Sequence, residues 1–116
     1  MVRMALTTGL LTLALAGGAA AHHGWGSYDA TKTVTVAGKI MSSKFENPHV
    51  TITVQGTDKV WTVTLAPTSR MINRGALAEM VAAGRDITAV GYASKVEKDE
   101  IRAERITVDG KSIEMR

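Results

Sequence analysis

Three consecutive segments of this chain alternate apolar and polar residues with a period of two, and this alternation limits the fold more than any other feature. In residues 33–40, 49–55 and 59–65 nearly every second residue is apolar, and Val, Ile and Thr predominate. Side chains of a β-strand point alternately to the two faces of a sheet, so the pattern predicts three half-buried strands. Residues 55–58 (Gln-Gly-Thr-Asp) are typical of a turn, which joins the second and third strands as a hairpin.

A short helical segment and further strands follow the first three. Residues 69–81 carry apolar residues at roughly helical spacing but include Gly75, which predicts one or two helical turns rather than one long helix. Residues 85–93 and 101–108 have a weaker strand pattern, and residues 112–115 are long enough for a short last strand. This order is that of the OB-fold. We therefore predict a mainly β fold, a small OB-like barrel of five to six strands with one short helix between strands three and four. A different β-sandwich or an open sheet is the alternative.

The first 21 residues have the composition of an export signal. Arg3 precedes an apolar stretch at residues 4–16 and a run of small residues at 17–21 that ends in Ala-Ala-Ala. This order is typical of a cleavable secretory signal peptide. The alternative is a membrane-anchoring helix, but a span needs ~20 predominantly apolar residues, and the two glycines at 17 and 18 interrupt this stretch too early.

The signal, the non-periodic residues after it and the alternating segments divide the chain into three parts. We predict a cleavable signal peptide at residues 1–21, a mobile N-terminal arm at 22–32 and an OB-like β domain at 33–116. The glycines and the lack of periodicity before residue 33 are the reason for the arm. The expected location is the periplasm, with no membrane span after signal removal.

Residue types and motifs argue against several classes of function. The chain has no cysteine, which excludes disulfides, thiolate metal sites and cysteine nucleophiles. Its formal net charge is +3, but Lys and Arg are scattered, so we expect no nucleic-acid partner. No G-x-S-x-G, H-E-x-x-H or Walker motif occurs, and no convergent set of acid and base groups is evident, so we expect no enzyme. Asp99 and Glu100 belong to a charged run at 95–100 that is typical of a solvated loop.

The two histidines that follow the signal are candidates for metal binding. Cleavage after Ala21 would make His22 the mature N-terminus, where its amine and imidazole form a chelate that favours tetragonal Cu(II) or Ni(II). Cleavage one residue earlier would put His23 third from the amine, which is also a chelating arrangement for these ions. The alternative is that both histidines are simply solvated.

The third histidine, His49, opens the second strand directly after Asn47 and Pro48. It would supply a third nitrogen ligand if the arm folded back; the alternative is a turn that Asn47 caps. Trp61 lies on the apolar face of strand three, which favours a core position over a binding platform. The candidate metal ligands are thus His22, His23 and His49. The candidate ligand-contact residues are Asn47 and Trp61.

The order of several short motifs resembles that of a known family. The motifs are Ala21-His22-His23-Gly24-Trp25, Tyr28-Asp29, Glu46-Asn47-Pro48-His49, Leu65-Ala66-Pro67, Arg74-Gly75, Gly84-Arg85-Asp86 and Arg102-Ala103-Glu104-Arg105-Ile106. The chain resembles a family of bacterial exported proteins, classed as a domain of unknown function, with an N-terminal His-His and an Asn-Pro-His motif. The resemblance covers nearly the whole mature chain and implies a periplasmic location and a small β domain, without an established activity. The architecture is also similar to that of periplasmic copper-chaperone OB domains.

The residues and the resemblance together lead to two functional hypotheses. The first is an exported periplasmic non-enzymatic binding protein that binds Cu(II) through its mature N-terminal histidines, with copper as its only cofactor. The alternative is a periplasmic module that binds a protein or a small ligand without any metal.

Overall fold

The computed structural model of the protein describes residues 24–116, so the predicted signal peptide, His22 and His23 lie outside the described residues. Within residues 24–116, the structure has six strands, one short α-helix and two 3₁₀ turns, which precede β1 and β4. The elements are a 3₁₀ turn Trp25–Ser27, β1 Tyr28–Lys44, β2 Thr51–Gln55, β3 Val60–Thr64, α1 Thr68–Asn73, a 3₁₀ turn Ala78–Val81, β4 Asp86–Ser94, β5 Glu100–Val108 and β6 Lys111–Glu114. Between residues 24 and 116, no helix has the length and apolar character needed to span a membrane.

The strands pair in the order β3-β2-β1-β4-β5-β6, and a further pairing between β3 and β5 closes the sheet into a barrel. The β3–β5 pairing is parallel, whereas the other pairings are antiparallel. The helix lies between β3 and β4 in the chain. The prediction of a mainly β, OB-like barrel with one short helix at this position is therefore confirmed.

Local contacts stabilise the start of β5, where the closing pairing begins. The amide of Thr62 donates to the carbonyl of Asp99 at 2.9 Å, and the side chain of Asp99 forms an ion pair with Lys59. Asp99 has a φ of 58°, in the left-handed region that Asp adopts more readily than most residues. These contacts fix where β5 begins, and thus put Glu100 rather than a neighbouring residue beside Thr62.

The first strand begins earlier than the sequence pattern indicates. Tyr28 and Asp29 already pair with Ser94 and Ala93 of β4, so residues 28–32, which we predicted to be part of a mobile arm, belong to β1. The β1–β4 register shifts between Asp29 and Thr33. A register irregularity of this kind interrupts the alternation of side chains. The period-two pattern therefore starts only at residue 33, although the strand does not.

The core is filled by the inward side chains of the alternating segments and by the segment between β3 and β4. Ile40, Ile52, Val63 and Ile106 are each at most 1% exposed. Met71 of α1 and Val81 of the second 3₁₀ turn join the same cluster. Because the inward residues of β2, β3 and β5 are apolar, the polar residues between them face the outside of the barrel.

A close approach of β4 and β5 depends on a glycine. A Cβ atom placed on Gly91 would lie 1.9 Å from the carbonyl oxygen of Arg102, and the β4–β5 register shifts between Val90 and Gly91. Only a residue without a side chain permits this backbone contact.

We expect Gly91→Ala to lower the free energy of unfolding by about 1–3 kcal/mol or more, because the added methyl group forces the two strands apart. Urea denaturation measures the change. Gly26→Ala is the matched control, since a Cβ at Gly26 meets no atom within 4 Å. Equal stability of the two variants would contradict the close approach.

Candidate ligand-binding pocket

A cavity lined mainly by polar and charged residue types lies on the outer surface of the barrel, where β2, β3 and the beginning of β5 meet. Strand register brings its residues together: Thr51 pairs with Thr64 across β2 and β3, and Thr62 pairs with Glu100 across β3 and β5. The loop at 45–50 forms another wall. The cavity measures about 270 Å³ and is lined by Tyr28, Lys44, Glu46, Asn47, Pro48, His49, Thr51, Thr62, Thr64 and Glu100.

The carboxylate of Glu100 organises the floor of this cavity. Its Oε2 accepts a hydrogen bond from the hydroxyl of Tyr28 at 2.5 Å and a longer one from Thr64 Oγ1 at 3.4 Å. Each hydroxyl has a single proton, so the oxygens of Tyr28 and Thr64 keep lone pairs that can accept further hydrogen bonds. Burial, together with the hydrogen bond and charge of Glu100, raises the pKa of Tyr28 to about 12. The floor is thus a group of oxygen acceptors around one negative charge.

His49 lies on the wall of the cavity and is held by Arg102. The two side chains approach to 3.1 Å between Arg102 Nη2 and His49 Nε2. Because a guanidinium has donors only, this contact is a hydrogen bond in the tautomer of His49 that carries its ring proton on Nδ1. Arg102 is only 4% exposed, and this burial lowers its pKa, as do the charges of Arg70 and Arg116.

Trp25, directly before β1, covers the buried arginine. The guanidinium carbons of Arg102 and Arg116 each lie 4.3 Å from the centroid of its ring, a distance typical of cation–π contacts. The ring also makes edge contacts with Tyr28 and Tyr92, at centroid distances of 6.5 and 6.2 Å. These contacts place Trp25, which belongs to the segment predicted as a mobile arm, against side chains of the barrel.

The two candidate ligand-contact residues lie in different places. Asn47 lines the cavity, and its Oδ1 accepts hydrogen bonds from the backbone N (3.2 Å) and Oγ1 (2.9 Å) of Thr68, so it ties the 45–50 loop to the start of α1. Trp61 is outside this cavity. It packs partly buried against the core, with Lys59 Nζ 4.4 Å from its ring centroid, and lines a separate depression of about 300 Å³.

The candidate metal ligands are not brought together within the described part of the chain. His22 and His23 lie outside it, and residues 24–116 contain no group of three or more His, Asp or Glu side chains that could hold a metal ion. His49 Nε2 is in contact with Arg102, so a metal at this nitrogen would have to displace the guanidinium. Metal binding at the three histidines stays a prediction.

Sequence reasoning missed the central residue of the cavity. We interpreted Glu100 as part of a solvated loop, but it is the first residue of β5 and lies beside β3. In the sequence, Tyr28 and Arg102 stand out only as parts of motifs. The available signal was the alternation itself: Ile101 and Ala103 are buried, so Glu100 and Arg102 had to share the outer face.

Strand order and closure define the class of this protein as a small OB-like barrel. The chain belongs to a family of unknown function, DUF6152, whose model matches residues 10–102. This agrees with the resemblance to a domain-of-unknown-function family, whereas its His-His and Asn-Pro-His motifs and the similarity to copper chaperones stay predictions. No curated protein matches the chain.

Among the solved structures that share the fold are two of TiaS. One is the crystal structure of TiaS in complex with a tRNA and ATP, with 16% identity and a TM-score of 0.50 over 70% of this chain and 19% of that chain. The other is a ZRD-deleted mutant of TiaS in complex with agmatine, with 18% identity and a TM-score of 0.51 over 76% of this chain and 25% of that chain. This chain therefore spans a quarter or less of those proteins, and at such identity the likeness concerns the fold alone.

The raised pKa of Tyr28 provides a test of the floor geometry. With Tyr92→Phe as background, Tyr28 is the only tyrosine and should ionise at about 12. Adding Glu100→Gln should lower this pKa, because the carboxylate contributes to the shift, yet leave it above 10.0, because burial remains. Tyrosinate absorbance measures both values.

The same shift has a consequence for stability. The pKa in the folded protein is above the ordinary value of 10.0, so the contribution of Tyr28 is complete below pH 10 and is lost as the pH rises towards about 12. Tyr28→Phe should lack this part of the alkaline loss in urea denaturation. An unchanged alkaline profile in Tyr28→Phe would contradict the assignment.

Proposed function

We propose that this protein is an exported, periplasmic, non-enzymatic binding module whose ligand is a small polar molecule held in the cavity around Glu100. The observation that carries this proposal is the arrangement of hydroxyl groups from two strands around one carboxylate, at the floor of a cavity of small-molecule size. A few placed polar groups in a concave site are typical of ligand pockets.

The position of the cavity in the fold supports the same proposal. In OB-folds the outer face of strands two and three, together with the loops that flank it, is the usual ligand-binding surface. Here Thr51 of β2, Thr62 of β3 and the 45–50 loop line the cavity. The fold thus offers a concave polar surface on the side where this architecture commonly holds its ligands.

The contacts among the cavity residues favour binding over catalysis. A general base or acid has to exchange a proton with the substrate. Glu100 Oε2 accepts hydrogen bonds from Tyr28 and Thr64, and His49 Nε2 contacts Arg102, so one oxygen of Glu100 and one ring nitrogen of His49 are already engaged within the protein. These hydrogen bonds fix the side chains and direct their remaining donors and acceptors. Export remains part of the proposal and rests on the composition of the first 21 residues.

Cu(II) binding by His22 and His23, with His49 as a further ligand, is the second candidate function. The observation in its favour is that Trp25 and His49 both contact Arg102, so the chain just after His23 passes near His49, although a metal at His49 Nε2 would have to displace the guanidinium. Consecutive Cα atoms are about 3.8 Å apart. His23 is only two residues before Trp25, so the chain length between them allows an approach to His49 that the sequence alone left open.

The first proposal predicts that ligand contacts are confined to this cavity. In amide NMR spectra recorded with a library of small polar compounds, hits should shift the signals of residues lining the cavity. Thr62→Val should weaken binding of these hits by about tenfold, because it removes one hydrogen-bonding group without changing the side-chain size. Thr33→Val, on an exposed position of β1, is the matched control. Hits that bind elsewhere, or that bind Thr62→Val unchanged, would contradict the proposal.

The second candidate predicts a dependence of Cu(II) affinity on the free N-terminus and on pH. Affinity should rise steeply from pH ~5 to ~8, because the metal displaces protons from the amine and imidazoles. A tag left before His22 should weaken binding, since it converts the amine into an amide. His22→Ala and His23→Ala should also weaken it, whereas His49→Ala does so only if His49 joins the site. Titration calorimetry of mature and tagged protein measures these effects, and identical affinities would exclude a specific site.

A further inference from the structure

We infer that the ligand of the cavity around Glu100 carries a positively charged ammonium group, which the Glu100 carboxylate receives. This inference rests on the proposed function, because it names the chemical class of ligand for the same site. It follows from the charge of the floor, from the hydrogen-bonding capacity left there and from the charges at the rim.

The floor carries a negative charge that no cation of the described residues compensates by direct contact. Between residues 24 and 116, Glu100 takes part in no ion pair, whereas the preceding Asp99 pairs with Lys59 at 2.7 Å. Glu100 is partly buried at the end of the β3–β5 pairing. A partly buried carboxylate without a cationic contact favours a cationic group in the adjoining cavity over a neutral or anionic one.

The hydrogen-bonding capacity of the floor matches an ammonium group. An ammonium has three donors and no acceptor, so it needs several oxygen acceptors close together. The hydroxyls of Tyr28 and Thr64 both contact Glu100 Oε2 and also interact with each other, so the acceptors of the floor are the lone pairs that remain on these oxygens and on the carboxylate. Thr62 also lines the cavity. A ligand carboxylate would instead meet the Glu100 charge and a group of acceptors.

The other charges near the cavity do not reverse this preference. Lys44 and Glu46 lie at its exposed rim and have opposite signs. Arg102 is buried, donates to His49 and is not among the lining residues. Among the described residues, Glu100 is therefore the charged residue that a ligand contacts at the floor of the cavity.

Three sugars of similar size and different charge test this inference: glucosamine, glucose and glucuronate. Each is titrated into the protein at a pH at which the amine is protonated, and the amide signals of the cavity residues report binding. Glucosamine should bind about tenfold or more tighter than glucose, as expected for a hydrogen bond between charged groups, and glucuronate should bind weakest. Ethanolamine and ethylene glycol form a smaller pair, which removes the size of the ring as a variable.

Two variants separate charge from shape. Glu100→Gln keeps an oxygen that can accept from Tyr28 but loses the charge, so the preference for amines should disappear. Glu79→Gln removes a carboxylate from the 3₁₀ turn Ala78–Val81, outside this cavity, and should leave the preference unchanged. If Glu100→Gln fails to fold, the wild-type protein gives the same information, because added salt should weaken binding of the amines and not of the neutral compounds.

The outcomes distinguish this inference from the function on which it rests. Equal binding of amines and neutral compounds in the cavity, or a preference for glucuronate, would overturn the inference and leave the binding module intact. Shifts confined to the cavity with amines, lost in Glu100→Gln, would support both. If none of the five compounds shifts the cavity signals, while other polar compounds do, only the inference fails. If no polar compound shifts these signals, both fail.

Discussion

The parallel pairing of β3 with β5 is the constraint on which the rest of this structure depends. It joins Thr62, Val63 and Thr64 to Glu100, Ile101 and Arg102, and thereby closes the barrel. The inward members of these pairs, Val63 and Ile101, complete the core, while the outward members form the floor and its surroundings. Closure also satisfies the edges that both strands would otherwise expose. The candidate site is therefore a product of the same pairing that completes the fold.

The sequence was sufficient to predict the bounds of β2 and β3, which pair with each other and follow one another in the chain. The hairpin of β2 and β3 was predicted within two residues at each end, because its alternation is regular and its turn is short. The start of β1 could not be predicted, because the register shift between Asp29 and Thr33 interrupts the pattern. For Glu100, the alternation of β5 indicates the face on which the side chain lies, but not the strand beside it. That neighbour depends on a pairing with β3, some forty residues earlier in the chain, which local periodicity does not reveal.

For the candidate site, the sequence indicated two of the residues that line the cavity, but not the contacts that these residues make. The sequence singled out Asn47 and His49, and both line the cavity, yet their contacts with Thr68 and Arg102 could only come from the fold. Trp61 was singled out by its size and lies in a separate depression. An apolar face predicts burial, but it does not distinguish which part of the barrel surface is concave.

Arg102 lies between the two candidate sites and contacts side chains on both sides. Burying a guanidinium costs free energy unless neighbouring groups compensate its charge, so these contacts matter for stability. Trp25 lies against one part of this group, and His49 accepts a hydrogen bond from another. The segment before β1 and the 45–50 loop are thus held by a common side chain. A metal that took His49 Nε2 would remove a contact of Arg102 and disturb the segment at Trp25, whereas a ligand on Glu100 leaves this contact in place. The geometry therefore makes ligand binding at Glu100 compatible with the structure as it stands, and makes metal binding at His49 Nε2 dependent on a rearrangement of Arg102.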